Sequence, residues 1–161
     1  MLGERPGTMA LKSGYNEMEL KFIAKSGNEA LARMAIAALI APYDPTLEEL
    51  DEIKTAVSEA VTNAIIHGYE DERGGYVTLR AVVEDGVLSV TVIDQGRGIS
   101  NLDLAREPLF TTRPDLERSG MGFTIMENFM DELIVESSPQ KGTTIIMSRR
   151  LGSVHDPSQL S

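Results

Sequence analysis

Ser58-Glu59-Ala60-Val61-Thr62-Asn63-Ala64-Ile65-Ile66-His67-Gly68 closes the strongest helix signal in the chain. Glu59 and Asn63 stand four residues apart, so a helix places them one turn apart on one face. At about 100° per residue, Leu50, Ile53, Val57, Ala60, Val61 and Ala64 form one apolar arc. Glu59 falls roughly opposite the centre of that arc, with Asn63 on its flank. Their carboxylate and amide therefore point away from the core on which the helix packs. Such a pair offers a general base and a neutral oxygen suited to a hard cation such as Mg2+. Two ordinary polar residues on a solvated face give the same pattern, so the rest of the chain has to decide.

The 161 residues suit one domain with a core of its own. Hydrophobic residues make up 42% and charged residues 25%, the balance of a soluble protein. No cysteine is present, which excludes disulfides and thiolate metal sites. A net charge of −10 argues against direct binding to nucleic acid and suits a basic protein partner. No apolar run approaches the roughly 20 residues of a membrane span. A cytoplasmic protein with no membrane association is the expectation.

Residues 1–15 have no period and read as a disordered or non-native extension, residues 16–150 as the domain, and residues 151–161 as a flexible tail. Glu17–Ala24 alternates like a strand. Ser26 and Glu29 form a capping box before a helix over 27–41, apolar nearly all round, with Arg33 its one interior charge. Such a helix is expected to be covered on more than one side, in part by a partner chain. Thr46 and Glu49 form a second box before a helix over 46–67 that ends at Gly68. Strands over 76–84 and 87–94 flank Asp85-Gly86, a strong hairpin signal. Residues 95–119 lack a period and carry Arg106, Arg113 and Arg118; a segment so long and irregular points to function. A helix over 120–132 and strands over 133–138 and 143–150 close the domain. The order β-α-α-β-β-loop-α-β-β predicts an α/β protein, a two-layer α+β sandwich with a mixed, mostly antiparallel sheet and helices on one face.

Three further motifs bear on chemistry. Asp94-Gln95-Gly96-Arg97-Gly98 follows a strand: its carboxylate can accept from an exocyclic amine, and its glycines let backbone approach a flat ring. Gly120-Met121-Gly122 opens a helix just after Arg118 and Ser119, an arrangement suited to phosphates, with Arg118 placed to meet a γ-phosphate. Gly142-Thr143 lies at the start of the last strand. No Walker motif occurs. Each motif alone has an ordinary structural explanation, as a turn, a helix cap or a β-branched strand residue.

Their order, Glu59/Asn63, Asp94-x-Gly-x-Gly, Gly120-x-Gly, Gly142-Thr143, resembles the GHKL ATP-binding superfamily, the Bergerat fold. The resemblance covers about residues 16–150 and is nearest to the small anti-sigma serine kinases of sporulating bacteria. It is near-verbatim over residues 58–69, 108–114 and 117–131. It implies that Asn63 ligates the Mg2+ bridging the ATP phosphates and that Glu59 is the base for an attacking serine hydroxyl. It implies that Asp94 receives the adenine amine, that Gly96, Gly98 and Thr143 line the base, and that Ser119, Gly120 and Gly122 cradle phosphates beside Arg118. Residues 100–119 would be a lid, in which Arg113 replaces a familiar lysine. The implied partners are a sigma factor of the F type, an anti-anti-sigma protein that accepts phosphate on serine, and a second copy of the chain, with ATP and ADP as ligands. Arg33 would touch the sigma factor; a snorkelling arginine is the plain alternative. Competing readings are a stress-response anti-sigma kinase, a gyrase- or mismatch-repair-type ATPase, a sensor histidine kinase domain, and a nucleotide-dependent binding module without phosphotransfer. The length of the chain argues against the second, and Glu59 argues against the last two.

Overall fold

Alternation of Met18, Leu20 and Phe22 with polar neighbours builds the first strand, β1 (Asn16–Ile23), with its apolar side on the core. The computed structural model describes residues 14–68, 74–96 and 122–152. The expectations for residues 1–13, the segment over 97–121 and the tail beyond Gly152 lie outside the described residues.

Beyond β1 come α1 (Glu29–Ile40), α2 (Leu47–Asn63), β2 (Tyr76–Glu84), β3 (Val87–Asp94), α3 (Gly122–Phe129), β4 (Glu132–Ser138) and β5 (Gly142–Arg150). The strands form one sheet in the order β1-β2-β3-β5-β4, and every pairing among the described strands is antiparallel. Asp85 and Gly86 both have positive φ, 51° and 77°, which is the geometry a two-residue hairpin loop requires.

Register aligns the buried residues in rows across the sheet. Leu20, Leu79, Val92, Ile145 and Val135 form one row; Met18, Ala81, Val90, Met147 and Leu133 form the next. Helices α1 and α2 lie against this apolar side, α3 packs on α2 and β4, and Ile36, Ile40, Ile53, Val57 and Val61 meet the sheet residues in one core. The arc read from α2 is buried as expected, apart from Leu50, which is half-buried.

Several helix ends differ from expectation, α3 among them, which ends at Phe129 and not at 132. The Ser26 capping box does not form, because Ser26–Asn28 is a 3-10 turn that moves the start of α1 to Glu29. Asn28 Nδ2 instead donates to the Ile23 carbonyl at 2.8 Å. The regular part of α2 ends at Asn63, and Ala64–Gly68 continues as a wider π turn. At the other end Thr46 caps α2, its Oγ1 accepting from Glu49 N–H at 3.1 Å. The Glu49 carboxylate does not reach back to complete that box. It is buried and accepts from Gly152 N–H, with its two oxygens 3.0 and 3.2 Å away. Leu151 N–H also donates to the Gly86 carbonyl at 2.7 Å, so the first two residues after Arg150 are pinned to the domain.

Candidate nucleotide-binding and phosphotransfer site

The site is built by tying α2 to β5 at one end and reading out chemistry at the other. Glu49 holds Gly152, and Arg149 Nη1 donates to Glu52 Oε2 at 3.1 Å and to the Phe129 carbonyl at 2.9 Å. The start of α2 therefore sits over the last residues of β5. The step from Glu52 to Asn63 covers about 16 Å of helix, and the step from Arg149 back to Thr143 covers about 20 Å of strand. The π turn after Asn63 packs on β3 and β5. Helix α2 thus delivers Glu59 and Asn63, both half-buried, toward the Asp94–Thr143 end of the sheet. A wide turn breaks the regular helix there, as π turns often do beside functional sites.

That end of the sheet carries the polar row Phe22, Val77, Asp94, Thr143, Ser137. Asp94 and Thr143 are buried polar residues where the neighbouring row has the buried apolar pair Val92 and Ile145. Burial pushes the Asp94 carboxyl up to about 6 from its ordinary 3.8, while the backbone N–H groups of Gly96 and Thr143 pull it back. Gly96 N–H donates to Asp94 Oδ1 at 2.9 Å and folds the turn around the carboxylate. A buried carboxylate with its pKa raised by burial marks Asp94 as a candidate functional group.

Ser137 within the row and Gly142 one residue outside it support this end of the sheet, and their part is not evident from motif spacing. Gly142 has φ +93°, and a Cβ there would stand 2.2 Å from the Asp94 carbonyl oxygen and 2.7 Å from Gln95 Cα. Only a glycine lets β5 come this close to the turn that aims Asp94. Ser137 Oγ lies 2.8 Å from Thr143 Oγ1 and donates to the Gly142 carbonyl at 3.1 Å.

Gly122 is the first residue of α3, and α3 packs on α2. Gly98, Arg118, Ser119 and Gly120, with Arg106, Arg113 and the expected lid, lie outside the described residues. Arg33 is on α1, its side chain 38% exposed, with Nη1 3.9 Å from Glu29 Oε2. The same Glu29 oxygen accepts from Ser58 Oγ, next in sequence to Glu59. Arg33 and the helix that carries Glu59 are therefore joined through one carboxylate. No cluster of three or more His, Asp or Glu side chains forms a metal cage among the described residues. A lone neutral oxygen at Asn63 suits a cation shared with phosphates, which Mg2+ prefers to an all-protein cage.

Fold and site together define a histidine kinase-like ATPase domain, and the model for that family matches residues 22–149. The structure resembles the RsbU and RsbW domains of Rv1364c from Mycobacterium tuberculosis, with TM-score 0.62, 21% identity, and coverage of 84% of this chain and 32% of that one. It also resembles the histidine kinase domain of the Erythrobacter litoralis EL346 blue-light activated histidine kinase, with TM-score 0.51, 28% identity, and coverage of 77% of this chain and 61% of that one. This chain thus spans about a third and three-fifths of those two chains. Among curated relatives, the anti-sigma F factor of Geobacillus thermodenitrificans is 60% identical over 84% of this chain and 93% of its own. That of Clostridium acetobutylicum is 60% identical over 88% and 98%, and that of Bacillus subtilis is 59% identical over 84% and 93%. The chain belongs to the anti-sigma F factor family. No helix among the described residues is long and apolar enough to cross a membrane.

Proposed function

We propose that this chain is an anti-sigma factor and an ATP-dependent protein serine kinase. It holds a sporulation RNA polymerase sigma factor of the F type and phosphorylates a serine on that factor's anti-anti-sigma antagonist. One observation carries the reading: a buried, proton-poised Asp94 shares one end of the sheet with the α2 terminus that bears Glu59 and Asn63, in a chain 60% identical to anti-sigma F factors.

Adenine is recognised when Asp94 accepts from its exocyclic amine, with Gly96, Gly98 and Thr143 lining the ring. Ser119, Gly120 and Gly122 bind phosphates and Arg118 meets the γ-phosphate. Asn63 is the residue that would hold Mg2+, which supplies charge neutralisation to the phosphates when bound. Glu59 takes the proton of the incoming serine hydroxyl. The serine oxygen bonds to the γ-phosphorus as the bond to the bridging oxygen breaks, leaving phosphoserine and ADP. Positioning and charge neutralisation do most of the work in such transfers.

Partner binding has its own support. Leu31 and Met34 are exposed on α1, Met34 at 63%, and Ile23 is exposed at the end of β1. We assign the exposed apolar residues of α1 to contact with a second copy of the chain, the dimer holding one sigma subunit through Arg33. The net charge of −10 suits protein partners over nucleic acid. Gel filtration with nucleotide and Mg2+ tests the reading. Co-elution with an F-type sigma factor supports it; capture of a stress-response sigma factor alone would favour that alternative, and capture of neither removes the anti-sigma role.

A further inference from the structure

We propose that the face of the sheet turned away from the helices is a second docking surface, shaped for a basic amphipathic helix of a protein partner. It is independent of the nucleotide site and of the surface assigned to Arg33.

Side chains alternate along a strand, so the residues between the core positions point to the opposite face. Register there sets five large apolar side chains in one diagonal line. Ile23 pairs with Tyr76 across β1 and β2, and Ile134 pairs with Ile146 across β4 and β5. Ile93 on β3 joins the two pairs. It stands opposite Thr78, two residues from Tyr76, and opposite Thr144, two residues from Ile146. Ile23, Tyr76 and Ile134 are 55%, 54% and 48% exposed, and Ile93 and Ile146 are half-buried. The water-facing side of an antiparallel sheet ordinarily carries polar residues. Single exposed isoleucines need no explanation, but an apolar line that crosses all five strands marks a contact surface.

Charge and the course of the chain narrow what covers this line. Helices α1, α2 and α3 pack on the other face. Both described chain ends are held on that helical side, the Gly14 carbonyl by Tyr43 Oη at 3.2 Å and Gly152 N–H by Glu49. The occupant therefore comes from outside the described chain. Ile134 is bracketed along β4 by Glu132 and Glu136, both exposed. The cations of this face stand elsewhere. Arg80 Nε bonds Glu19 at 2.6 Å, Lys21 Nζ lies 4.9 Å from the Tyr76 ring centroid, and Arg150 ends β5 beyond Ser148. A second copy would bring a further charge of −10 and no surplus of cations for the β4 carboxylates. A helix with one apolar stripe and lysines or arginines at the end lying over β4 meets both features. The line spans four strand spacings and about four residues of strand, roughly 23 Å, which about 15 residues of helix match.

The probe is a labelled synthetic helix of about 15 residues, with leucine at every third or fourth position, lysines flanking the stripe toward one end, and alanine elsewhere. By fluorescence anisotropy, the full chain should bind it at least about tenfold more tightly than a scrambled peptide or one with glutamate in place of lysine. Ile134→Thr combined with Ile146→Thr keeps β-branched residues in the strands and should weaken binding at least about tenfold. Glu132→Lys combined with Glu136→Lys should weaken it to a similar degree. ATP affinity should stay within about threefold of wild type in both variants. Melting curves check folding, and if the isoleucine pair fails to fold, the exposed glutamate pair decides alone. Absence of binding by wild type, equal binding of the scrambled or acidic peptide, or undiminished binding by either folded variant overturns the proposal. Sedimentation of the unliganded proteins covers the remaining occupant. Self-association of wild type that is lost in the isoleucine variant would give this face to a second copy and overturn the partner helix.

Discussion

Asp94 makes the sharpest quantitative prediction, because its ionisation and its proposed role are the same event. Only the carboxylate is a charge-assisted acceptor for the adenine amine. Burial holds its pKa at about 6 in the free protein. At pH 5 about a tenth of Asp94 is ionised, and nucleotide binding must expel the proton, costing about tenfold in affinity, or about 1.4 kcal/mol. Nucleotide phosphates titrate in the same range, so the wild-type profile alone does not isolate Asp94. Asp94→Asn does: the phosphates behave alike in both proteins, and only wild type changes charge at position 94. A neutral amide acceptor gives up about 1–2 kcal/mol relative to a carboxylate, so at pH 8 the variant should bind ADP roughly tenfold more weakly. By pH 5 that gap should have largely closed. Calorimetric titration of both proteins with ADP and Mg2+ from pH 5 to 8 measures it. A ratio constant across that range would refute the assignment of Asp94 as an ionised adenine acceptor. Stability runs the opposite way. The folded pKa is raised, so ionised Asp94 costs stability above about pH 6, and the cost fades as pH falls toward 3.8. The gap corresponds to about 3 kcal/mol at most. Without nucleotide, Asp94→Asn should therefore raise the melting temperature at pH 8 and have little effect near pH 4.

Other perturbations separate the remaining roles. Asn63→Ala should weaken ATP binding at least tenfold in the presence of Mg2+ and little in EDTA; equal calorimetric affinities in Mg2+ would contradict the metal role. Arg33→Glu should abolish co-elution with the sigma factor while phosphotransfer stays within about threefold; a folded variant that still captures sigma would remove that contact. Gly142→Ala places a methyl group against the backbone of Asp94 and Gln95 at a φ of +93°. It should lower the melting temperature by about 10 °C, from about 3 kcal/mol of strain and displaced backbone, and a melting curve matching wild type would show that β5 and the Asp94 turn do not need this approach.

Where local chemistry decides structure, the sequence is legible to the residue. The bounds of β2 and β3 follow from alternation and Asp85-Gly86, and the buried arc of α2 follows from its helical period. Long-range contacts are less visible. Glu49 has the spacing of a capping-box partner for Thr46, yet its carboxylate serves Gly152, a neighbour created only when β5 ends beside α2. The 3-10 turn at Ser26–Asn28 likewise depends on where β1 stops. In the site, the placement of Glu59 and Asn63 on one helix and of Asp94 at a strand end is legible from period and turn signals. The need for glycine at 142 arises from backbone of a strand end 48 positions earlier in the chain, Asp94 to Gly142, and no local pattern reports it. Ser137 sits in an unremarkable strand sequence, and only the register opposite Thr143 gives its hydroxyl a role.

Phosphate transfer from γ-labelled ATP with Mg2+ tests the central claim most directly. The acceptor is a small anti-anti-sigma protein bearing a phosphorylatable serine, with wild type and Glu59→Gln run side by side. Label should appear on the serine with wild type and fall by at least about a hundredfold in the variant, while ATP affinity stays within a few-fold. Undiminished transfer by Glu59→Gln would contradict the assigned base, and free phosphate without labelled protein would contradict the kinase itself.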